Sequence, residues 1–466
     1  MELLQKAFVF FLNPIYNILI FRIPIKIRYL IIGVCFSMIF VFQVFHASHF
    51  SIWYLKGQTF LAIEGCVLLF IVILMSINGK LEILNLNNKL FCYLWMICGL
   101  IIIAVSFIHP VGDGYRALAC TMILAFPCLW FIWANRGDYK KLFEIFSASI
   151  TNVGCIYLLI CFYLVPLSSA TEHAGRYTGT TSNPNLLAFF CTAILICSLY
   201  LLLCKTKHLW IYIAIAGLAN LFTLYTVSRT SLLCNIIAIM IFCIFYYKVK
   251  IRKKHRIKEY ITIIITLVII GTTFYLAIVT TSTSFATGII RDCDGLNSRV
   301  EYVVAESVDS ENADQIKTSV NLNRITNMNR DLNTLSSGRI TLWSEYISRL
   351  NLLGNNGNEF IYLDGRKIYG AHNAPLEIAF RSGIVNGIIF FIIEIITVMT
   401  ALKYVFRKRN IKCVHIFSTM CIGAYFIYSL LELVTLPFKT LPVLLYFIAI
   451  GPLFFKPPAG KSCVDD

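Results

Sequence analysis

Apolar runs of about 20 residues recur along most of this 466-residue chain, and they constrain its fold more than any other feature. Hydrocarbon offers no partner to backbone N–H and C=O groups, so each run must form a helix that satisfies them internally. Only 14% of the residues are charged, against about 25% in soluble domains. This excludes a soluble enzyme and a disordered chain. The sequence predicts an all-α polytopic membrane protein.

The hydropathy pattern predicts about twelve transmembrane helices. They lie near residues 29–45, 60–77, 90–108, 115–134, 147–166, 185–204, 209–227, 230–247, 259–280, 383–402, 413–435 and 440–455. With the N-terminus inside the cell, inner segments carry 25 of the 40 Lys and Arg residues, and short outer loops and outer span ends carry six. This asymmetry predicts that both termini are cytoplasmic. The net charge of +16 is then anchoring charge, and it requires no nucleic-acid partner.

One long hydrophilic segment divides the chain into three parts. These are an N-terminal transmembrane bundle (1–280), an extracytoplasmic loop (281–374) and C-terminal transmembrane helices (375–466). A loop of this length is expected to be functional or partly folded. Apolar residues recur at helical spacing near 338–352, which predicts an amphipathic helix on the outer membrane surface; they are Ile340, Trp343, Tyr346, Ile347 and Leu350.

A first candidate cluster precedes the sixth span, from Gly175 to Asn185. It combines Arg176 with glycines, hydroxyls and Asn183-Pro184, a pair typical of a helix start. A helix N-terminus beside an arginine is a natural anion site. The alternative interpretation is a capped turn with an arginine that extends toward the interface.

A second cluster, Ser228-Arg229-Thr230-Ser231, joins the seventh and eighth spans. The connection is so short that Arg229 must lie at the membrane boundary. An interfacial arginine that snorkels is the simpler alternative. A buried guanidinium needs an anionic partner, however, and no acid lies nearby in sequence, which favours a ligand phosphate.

Two further clusters flank the end of the long loop. Arg339 begins the predicted surface helix, and His372-Asn373 stands at the return into the membrane, followed by Glu377 and Arg381. Histidine exchanges a proton near neutral pH and is the usual general base. Each feature has a plainer alternative, because arginines and histidines at span ends often only contact headgroups or water.

Two patterns resemble metal sites, but chance explains them better. Asp292 and Asp294 have the spacing that holds a divalent ion on a sugar nucleotide, yet such spacing arises easily in an acidic loop. His46 and His49 lack a third ligand nearby in sequence. We therefore predict no metal site and no cofactor.

Three acids fall within predicted spans and allow a transporter as an alternative; they are Glu64, Glu394 and Glu432. Such acids can relay protons, although neutral carboxyls bonded to neighbouring helices are the simpler explanation. No internal repeat is evident, which weakens the case for a transporter built from inverted repeats.

Taken together, the clusters resemble the O-antigen ligase and polymerase superfamily of bacterial membrane glycosyltransferases. The resemblance covers about 60% of the chain, from the sixth to the twelfth span, and includes the long outer loop between spans nine and ten. It rests on Gly175-Arg176, Asn183-Pro184-Asn185, Ser228-Arg229, Arg339, Trp343, Gly354, His372-Asn373, Leu376-Glu377 and Gly383. The sequence departs from the family pattern at Leu352–Gly357 and at Pro375, which bear on the acceptor side.

The resemblance implies an enzyme of the inner (cytoplasmic) membrane with its active site on the extracytoplasmic side. Its donor would be a glycan on undecaprenyl pyrophosphate, and its acceptor a glycan or lipid. Arg176, Arg229 and Arg339 would bind the pyrophosphate, and Asn185 and Asn373 would also bind the substrate. The catalytic residues would be Arg229 and His372, with His372 as the base or as an acceptor-positioning residue. Membrane lipid, a flippase and a chain-length regulator are the implied partners. A polymerase is favoured over an O-antigen ligase that acts on lipid A core or another acceptor, and over an oligosaccharyltransferase relative that acts on protein. A lipid-linked oligosaccharide flippase or solute permease remains the alternative of another class.

Overall fold

The structure is a computed structural model. It describes residues 1–48, 57–109, 111, 113–165, 176–204, 209–246, 338–356, 359, 361–363, 366–368, 370–406 and 412–458. The predicted ninth span, most of the long loop, His49 and the Asp292/Asp294 pair lie outside these residues. Elements are numbered below in chain order within the described part.

Helices dominate this part of the chain. They are α1 (Glu2–Ile18), α2 (Ile25–Ala47), α3 (Gly57–Ser76), α4 (Lys89–Ile108), α5 (Asp113–Cys120), α6 (Phe126–Arg136), α7 (Tyr139–Leu164), α8 (Pro184–Cys204), α9 (Leu209–Tyr225), α10 (Arg229–Tyr246), α11 (Arg339–Ser348), α12 (Ala374–Ser382), α13 (Ile384–Phe406), α14 (Cys413–Leu431) and α15 (Leu441–Ala449). The strands of the described part are β1 (Ile361–Leu363) and β2 (Arg366–Ile368), which pair antiparallel.

Within the described residues, eight helices are long and apolar enough to cross a membrane. They are Ile25–Ala47, Lys89–Ile108, Gly114–Arg136, Tyr139–Leu164, Pro184–Cys204, Arg229–Tyr246, Ile384–Phe406 and Cys413–Leu431. Three shorter apolar helices, Leu61–Ser76, Leu209–Tyr225 and Leu441–Leu453, coincide with three further predicted spans. The protein is therefore an all-α polytopic membrane protein, as its composition predicts.

Helix α8 lies at the centre of the bundle. It contacts α7, α9, α10, α14 and α15, and nearly all of its side chains are buried. A helix that is apolar on every side is stable only where neighbours surround it, which explains why α8 has no polar face. Helices α2, α4 and α13 instead leave large apolar side chains exposed, as lipid-facing helices do.

The helix formed by α5 and α6 widens at Thr121–Ala125, where it has π-helical hydrogen bonding. Pro127 begins the next turn and lacks the N–H that an α-helix would use there. The indole of Trp95 donates to the Met122 carbonyl at 2.8 Å, so a carbonyl within the widened turn gains a partner from α4.

At one end of the bundle, two arginines cap the C-terminus of α3. Arg28 donates to the Ile77 carbonyl, and Arg136 donates to the Ser76 carbonyl at 2.9 Å. The last carbonyls of a helix have no partner within it, and cations there also favour the helix dipole. Basic residues at this end thus serve the fold directly.

At the opposite end, α11, the β1–β2 hairpin and α12 form a small layer with its own apolar core. Its buried members are Leu342, Tyr346, Ile361, Ala371 and Phe380. Of the predicted apolar residues of α11, Tyr346 is buried in this core. Ile340 and Ile347 stay exposed, while Leu342, outside the predicted set, is buried against the hairpin and α12.

Two glycines allow the chain to pack closely where α12 turns into α13. Gly383 has φ +95° and ψ 149°, a conformation almost restricted to glycine, and a Cβ there would lie 2.1 Å from the Leu352 carbonyl oxygen. Gly354 has φ +76°, and its Cβ would lie 2.5 Å from the Arg381 carbonyl oxygen. These contacts hold the segment before the hairpin against the end of α12.

Gly383→Ala is expected to destabilise the protein by about 2–4 kcal/mol, because it adds backbone strain to a steric clash. Unfolding of the purified protein in detergent would measure the change. Gly79→Ala is the matched control, since Gly79 has φ +88° but a Cβ at that position would meet nothing within 4 Å. Equal losses in both variants would show that the clash with Leu352 contributes nothing.

Candidate functional site at one end of the bundle

A buried carboxylate joins three parts of the chain at the end of α14. Glu432 follows the last residue of α14 and is 3% exposed. Its Oε1 lies 2.6 Å from Nη2 of Arg339 and accepts from Thr230 Oγ1 at 3.3 Å. Its Oε2 lies 3.3 Å from Nδ1 of His372. Arg339 and His372 are 33 residues apart in sequence, so Glu432 brings the start of α11 to the start of α12.

The surroundings of Glu432 favour its ionised form. Burial by itself raises the pKa of a carboxyl, but the hydrogen bond with His372 and the charge of Arg339 outweigh that effect. The net result is a pKa for Glu432 below its ordinary value. The carboxylate also lies beside the N-terminus of α10, where a negative charge is favourable.

The end of α14 is positioned by hydroxyl contacts inside the bundle. The Tyr428 hydroxyl lies 2.9 Å from Ser231 Oγ of α10 and 2.7 Å from Thr192 Oγ1 of α8. Tyr428 is fully buried one turn before Glu432. These contacts fix the position of Glu432 relative to the start of α10.

His372 has the geometry of an oriented imidazole. Nδ1 faces Glu432, Nε2 makes no hydrogen bond within the described residues, and the side chain is 43% exposed. If Nδ1–H donates to the carboxylate, Nε2 is the proton acceptor. His372 also has φ 49°, in the left-handed region that few side chains adopt. The surrounding contacts hold this residue in a strained conformation, as is common at functional sites.

The backbone just before His372 is clamped from both sides. The Ala371 N–H donates to Glu377 Oε2 at 2.8 Å, and the Ala371 carbonyl accepts from the Trp343 indole at 2.9 Å. Glu377 is itself buried and paired with Arg381 at 3.0 Å. A complete set of partners makes such a buried charge tolerable. This ion pair therefore positions His372 through Ala371.

Asn373 has a structural role in this arrangement. Its Oδ1 accepts from the Leu376 N–H at 2.9 Å and caps α12, while Nδ2 donates to the Leu430 carbonyl at 3.1 Å. The cap satisfies an otherwise unpaired helix N–H. Asn373 thus ties the start of α12 to the end of α14, and one N–H of its amide remains for a ligand.

Arg176 lies against the turn between α9 and α10. Its Nε donates to the Thr226 carbonyl at 2.8 Å, and Nη2 donates to Asn185 Oδ1 at 2.6 Å. Asn183 caps α8 by accepting from the Asn185 N–H at 2.8 Å. The helix start and the arginine predicted from the sequence are therefore adjacent, and Asn185 holds the guanidinium.

The same turn carries Arg229, the first residue of α10. Val227, two residues earlier, has φ 50°. Val227 and His372 are the two described non-glycine residues with positive φ. Val227 lies two residues before Arg229, and His372 is itself a predicted site residue. Arg176 contacts this turn at Thr226, and Thr230 contacts Glu432, so a continuous set of contacts links Arg176 to Arg339 and His372.

Glu432 is the residue whose role the sequence did not reveal. The hydropathy pattern predicts a span that ends at 435 and contains Glu432, but α14 ends at Leu431 and Glu432 is ion-paired at the helix end. Pro437 lies six residues beyond Leu431, farther than the one to three residues at which a proline marks a helix end, so it does not signal this end. Glu394 lies deeper and accepts from Ser429, while Glu64 lies 3.5 Å from His46.

No protein-family model, curated protein or solved structure matches this chain. The class of protein therefore follows from the coordinates: a polytopic helical membrane protein. At one end of its bundle, a buried carboxylate holds an arginine and a histidine, and two further arginines lie at the turn before α10, one in it and one bonded to it.

Proposed function

We propose that this protein is a membrane glycosyltransferase whose donor is a glycan on undecaprenyl pyrophosphate. In this proposal it polymerises glycan repeat units for an O-antigen, capsule or exopolysaccharide at the outer face of the cytoplasmic membrane. One observation carries the proposal. Arg176, Arg229, Arg339 and His372 belong to four separate segments, and one network that includes Glu432 links those segments at the same end of the bundle.

The proposal includes a topology of twelve spans with both termini in the cytoplasm. The positive-inside distribution of Lys and Arg supports this orientation. It puts the arginine and histidine network on the extracytoplasmic side, together with the loop at 281–374. A lipid-linked donor that has crossed the membrane would present its pyrophosphate at this depth.

In the proposed reaction, an acceptor hydroxyl attacks the anomeric carbon of the donor. The new C–O bond forms as the bond to the pyrophosphate oxygen breaks, and the hydroxyl proton passes to Nε2 of His372. Glu432 holds Nδ1 and stabilises the imidazolium, as an orienting carboxylate does in other acid–base pairs. The donor already carries its activation, so the step requires no cofactor.

Negative charge grows on the leaving pyrophosphate, and arginines are suited to stabilise it. A guanidinium offers five N–H donors in a planar fork that matches phosphate oxygens. The described contacts of Arg339 use only Nη2, toward Glu432, so its Nε and Nη1 remain for a ligand. Glu432 therefore holds Arg339 through Nη2 alone, and the other N–H groups of the guanidinium are left for the ligand.

An O-antigen ligase is the second candidate within this class, since it would use the same donor site with a lipid A core acceptor. A flippase or solute permease is the candidate of another class. Glu394 favours it, because a buried acid inside α13 is the kind of group that lines a translocation route. A flippase and a chain-length regulator would be protein partners of the enzyme.

Arg229→Ala separates the two classes. If the protein is a transferase, the variant is expected to lose at least about 10²-fold of product, because one preorganised charge at the leaving group is removed. Unpolymerised lipid-linked repeats should then accumulate at the outer face, where an added glycosidase or periodate reaches them in intact spheroplasts.

Arg349→Ala is the matched control, because Arg349 lies at the end of α11 in an exposed pair with Glu345 and outside the network. It should leave the product unchanged. Repeats trapped inside the cell in Arg229→Ala would favour the flippase, and full product in that variant would remove the pyrophosphate role.

A further inference from the structure

A small apolar cavity lies beside the candidate site, between two helices and the segment that follows Glu432. It has an empty volume of about 280 Å³, including its open mouth. Its walls include Leu61 and Ala62 of α3, Ala117 and Leu118 of α5, and Pro437 and Lys439. The neighbouring turn of α5 reaches the site itself, because the Tyr115 hydroxyl donates to Glu377 Oε1 at 3.2 Å.

The single cation in this wall has no counter-ion among the described residues. The ammonium of Lys439 makes no ion pair or hydrogen bond within that part of the chain. The one acid that acts on it electrostatically is Glu377. Glu377 is already bonded to Arg381, Tyr115 and the Ala371 N–H.

Burial adds to this imbalance. It lowers the pKa of the Lys439 ammonium, and the charge of Glu377 offsets the effect only in part. A partly desolvated cation gains most from an anion brought close to it. The cavity therefore combines one unmatched positive charge with apolar walls.

The cavity also adjoins a surface suited to lipid. Ile63, Val67 and Phe70 follow Leu61 and Ala62 along α3, and each is more than half exposed. A chain lying on that face of α3 would enter the cavity between Ala62 and Ala117, which both line it. Small side chains at both positions leave room for it.

We propose that this cavity binds a lipid phosphate, with the phosphate on Lys439 and the first part of the hydrocarbon chain between α3 and α5. The ligand is an anionic lipid of the membrane, either a phospholipid or a polyprenyl phosphate. The inference stands on this cavity alone and does not require the proposed transferase activity.

The test measures lipid retention by the purified full-length protein, using native mass spectrometry. The probes are undecaprenyl phosphate, phosphatidylglycerol and zwitterionic phosphatidylcholine. Lys439→Gln is expected to lower retention of the anionic lipids by about fivefold, the effect of losing one cation near a lipid phosphate. Lys439→Arg should retain them, and Ala117→Leu should weaken retention by filling the space for the chain.

Lys89→Gln is the matched control, since Lys89 is an exposed lysine at the opposite end of the bundle. A preference for undecaprenyl phosphate over phosphatidylglycerol would identify a polyprenyl site, and equal retention would identify a general anionic-lipid site. Both results support the proposal. Unchanged retention in Lys439→Gln, an equal loss in Lys89→Gln, or equal retention of phosphatidylcholine would overturn it.

Discussion

Replacing Glu432 by glutamine is expected to lower glycan transfer by about 10²–10³-fold while the protein still reaches the membrane. Glu432 orients His372 through one oxygen and Arg339 through the other. Glutamine keeps the size but removes the charge that binds both partners. Product would be measured with lipid-linked repeats in proteoliposomes, with separate values of kcat and KM.

Two variants make the result specific. Glu394→Gln is the matched control, because it makes the same substitution at another buried carboxyl, on α13, that contacts Ser429 rather than Arg339 or His372. It should leave transfer near the unaltered rate. Glu432→Asp should recover part of the activity, since it restores the charge. Activity in Glu432→Gln equal to that of the unaltered protein would exclude the positioning role.

The pH dependence of stability offers a second measurement of the same carboxylate. The folded-state pKa of Glu432 lies below its ordinary value of 4.5. A lowered pKa stabilises the fold above that ordinary value, and the contribution disappears as pH falls through the folded pKa. The difference in unfolding free energy between unaltered protein and Glu432→Gln should therefore shrink as the pH falls below about 5.

Arg176→Ala is expected to reduce kcat/KM for the lipid-linked donor by at least about 10²-fold. The guanidinium is held by Thr226 and Asn185 beside the N-terminus of α8, an arrangement suited to phosphate oxygens. The measurement is donor binding and turnover in proteoliposomes, because loss of a pyrophosphate contact should appear with every acceptor.

Arg176→Lys should recover only part of this loss, since an ammonium cannot reproduce the planar fork. Asn185→Ala should have a smaller effect, because it removes one contact to the guanidinium and keeps the charge. An Arg176→Ala protein that folds and transfers glycan at the unaltered rate would contradict the proposed pyrophosphate site.

The helix starts and the amphipathic helix of the site could be predicted from the sequence, because interactions between residues close in sequence determine them. Asn183-Pro184 predicts a helix start, and Asn183 does cap α8. The extent of α11 is close to the predicted amphipathic segment, since helical spacing of apolar residues is a local signal. Tyr346, a member of the predicted apolar set, is buried by its neighbours together with Leu342, which is outside that set.

The partners of the charged residues depend on distant parts of the chain. Arg229 had no acid nearby in sequence, which suggested a ligand as the source of negative charge. In the folded chain, Glu432 is bonded to the adjacent Thr230, although 202 residues separate them. Glu432 also pairs with Arg339, 93 residues away in sequence, so charge neutralisation at this end of the bundle is partly internal.

Composition and hydropathy alone determined that this chain is an all-helical membrane protein, because hydrocarbon permits few ways to satisfy a backbone. The tertiary structure decided which acid holds Arg339 and His372 and why Asn373 serves as a cap. It also decided that Lys439 lines an apolar cavity. Hydropathy is additive along a segment, whereas the energy of a buried charge depends on the groups that packing brings within a few ångströms.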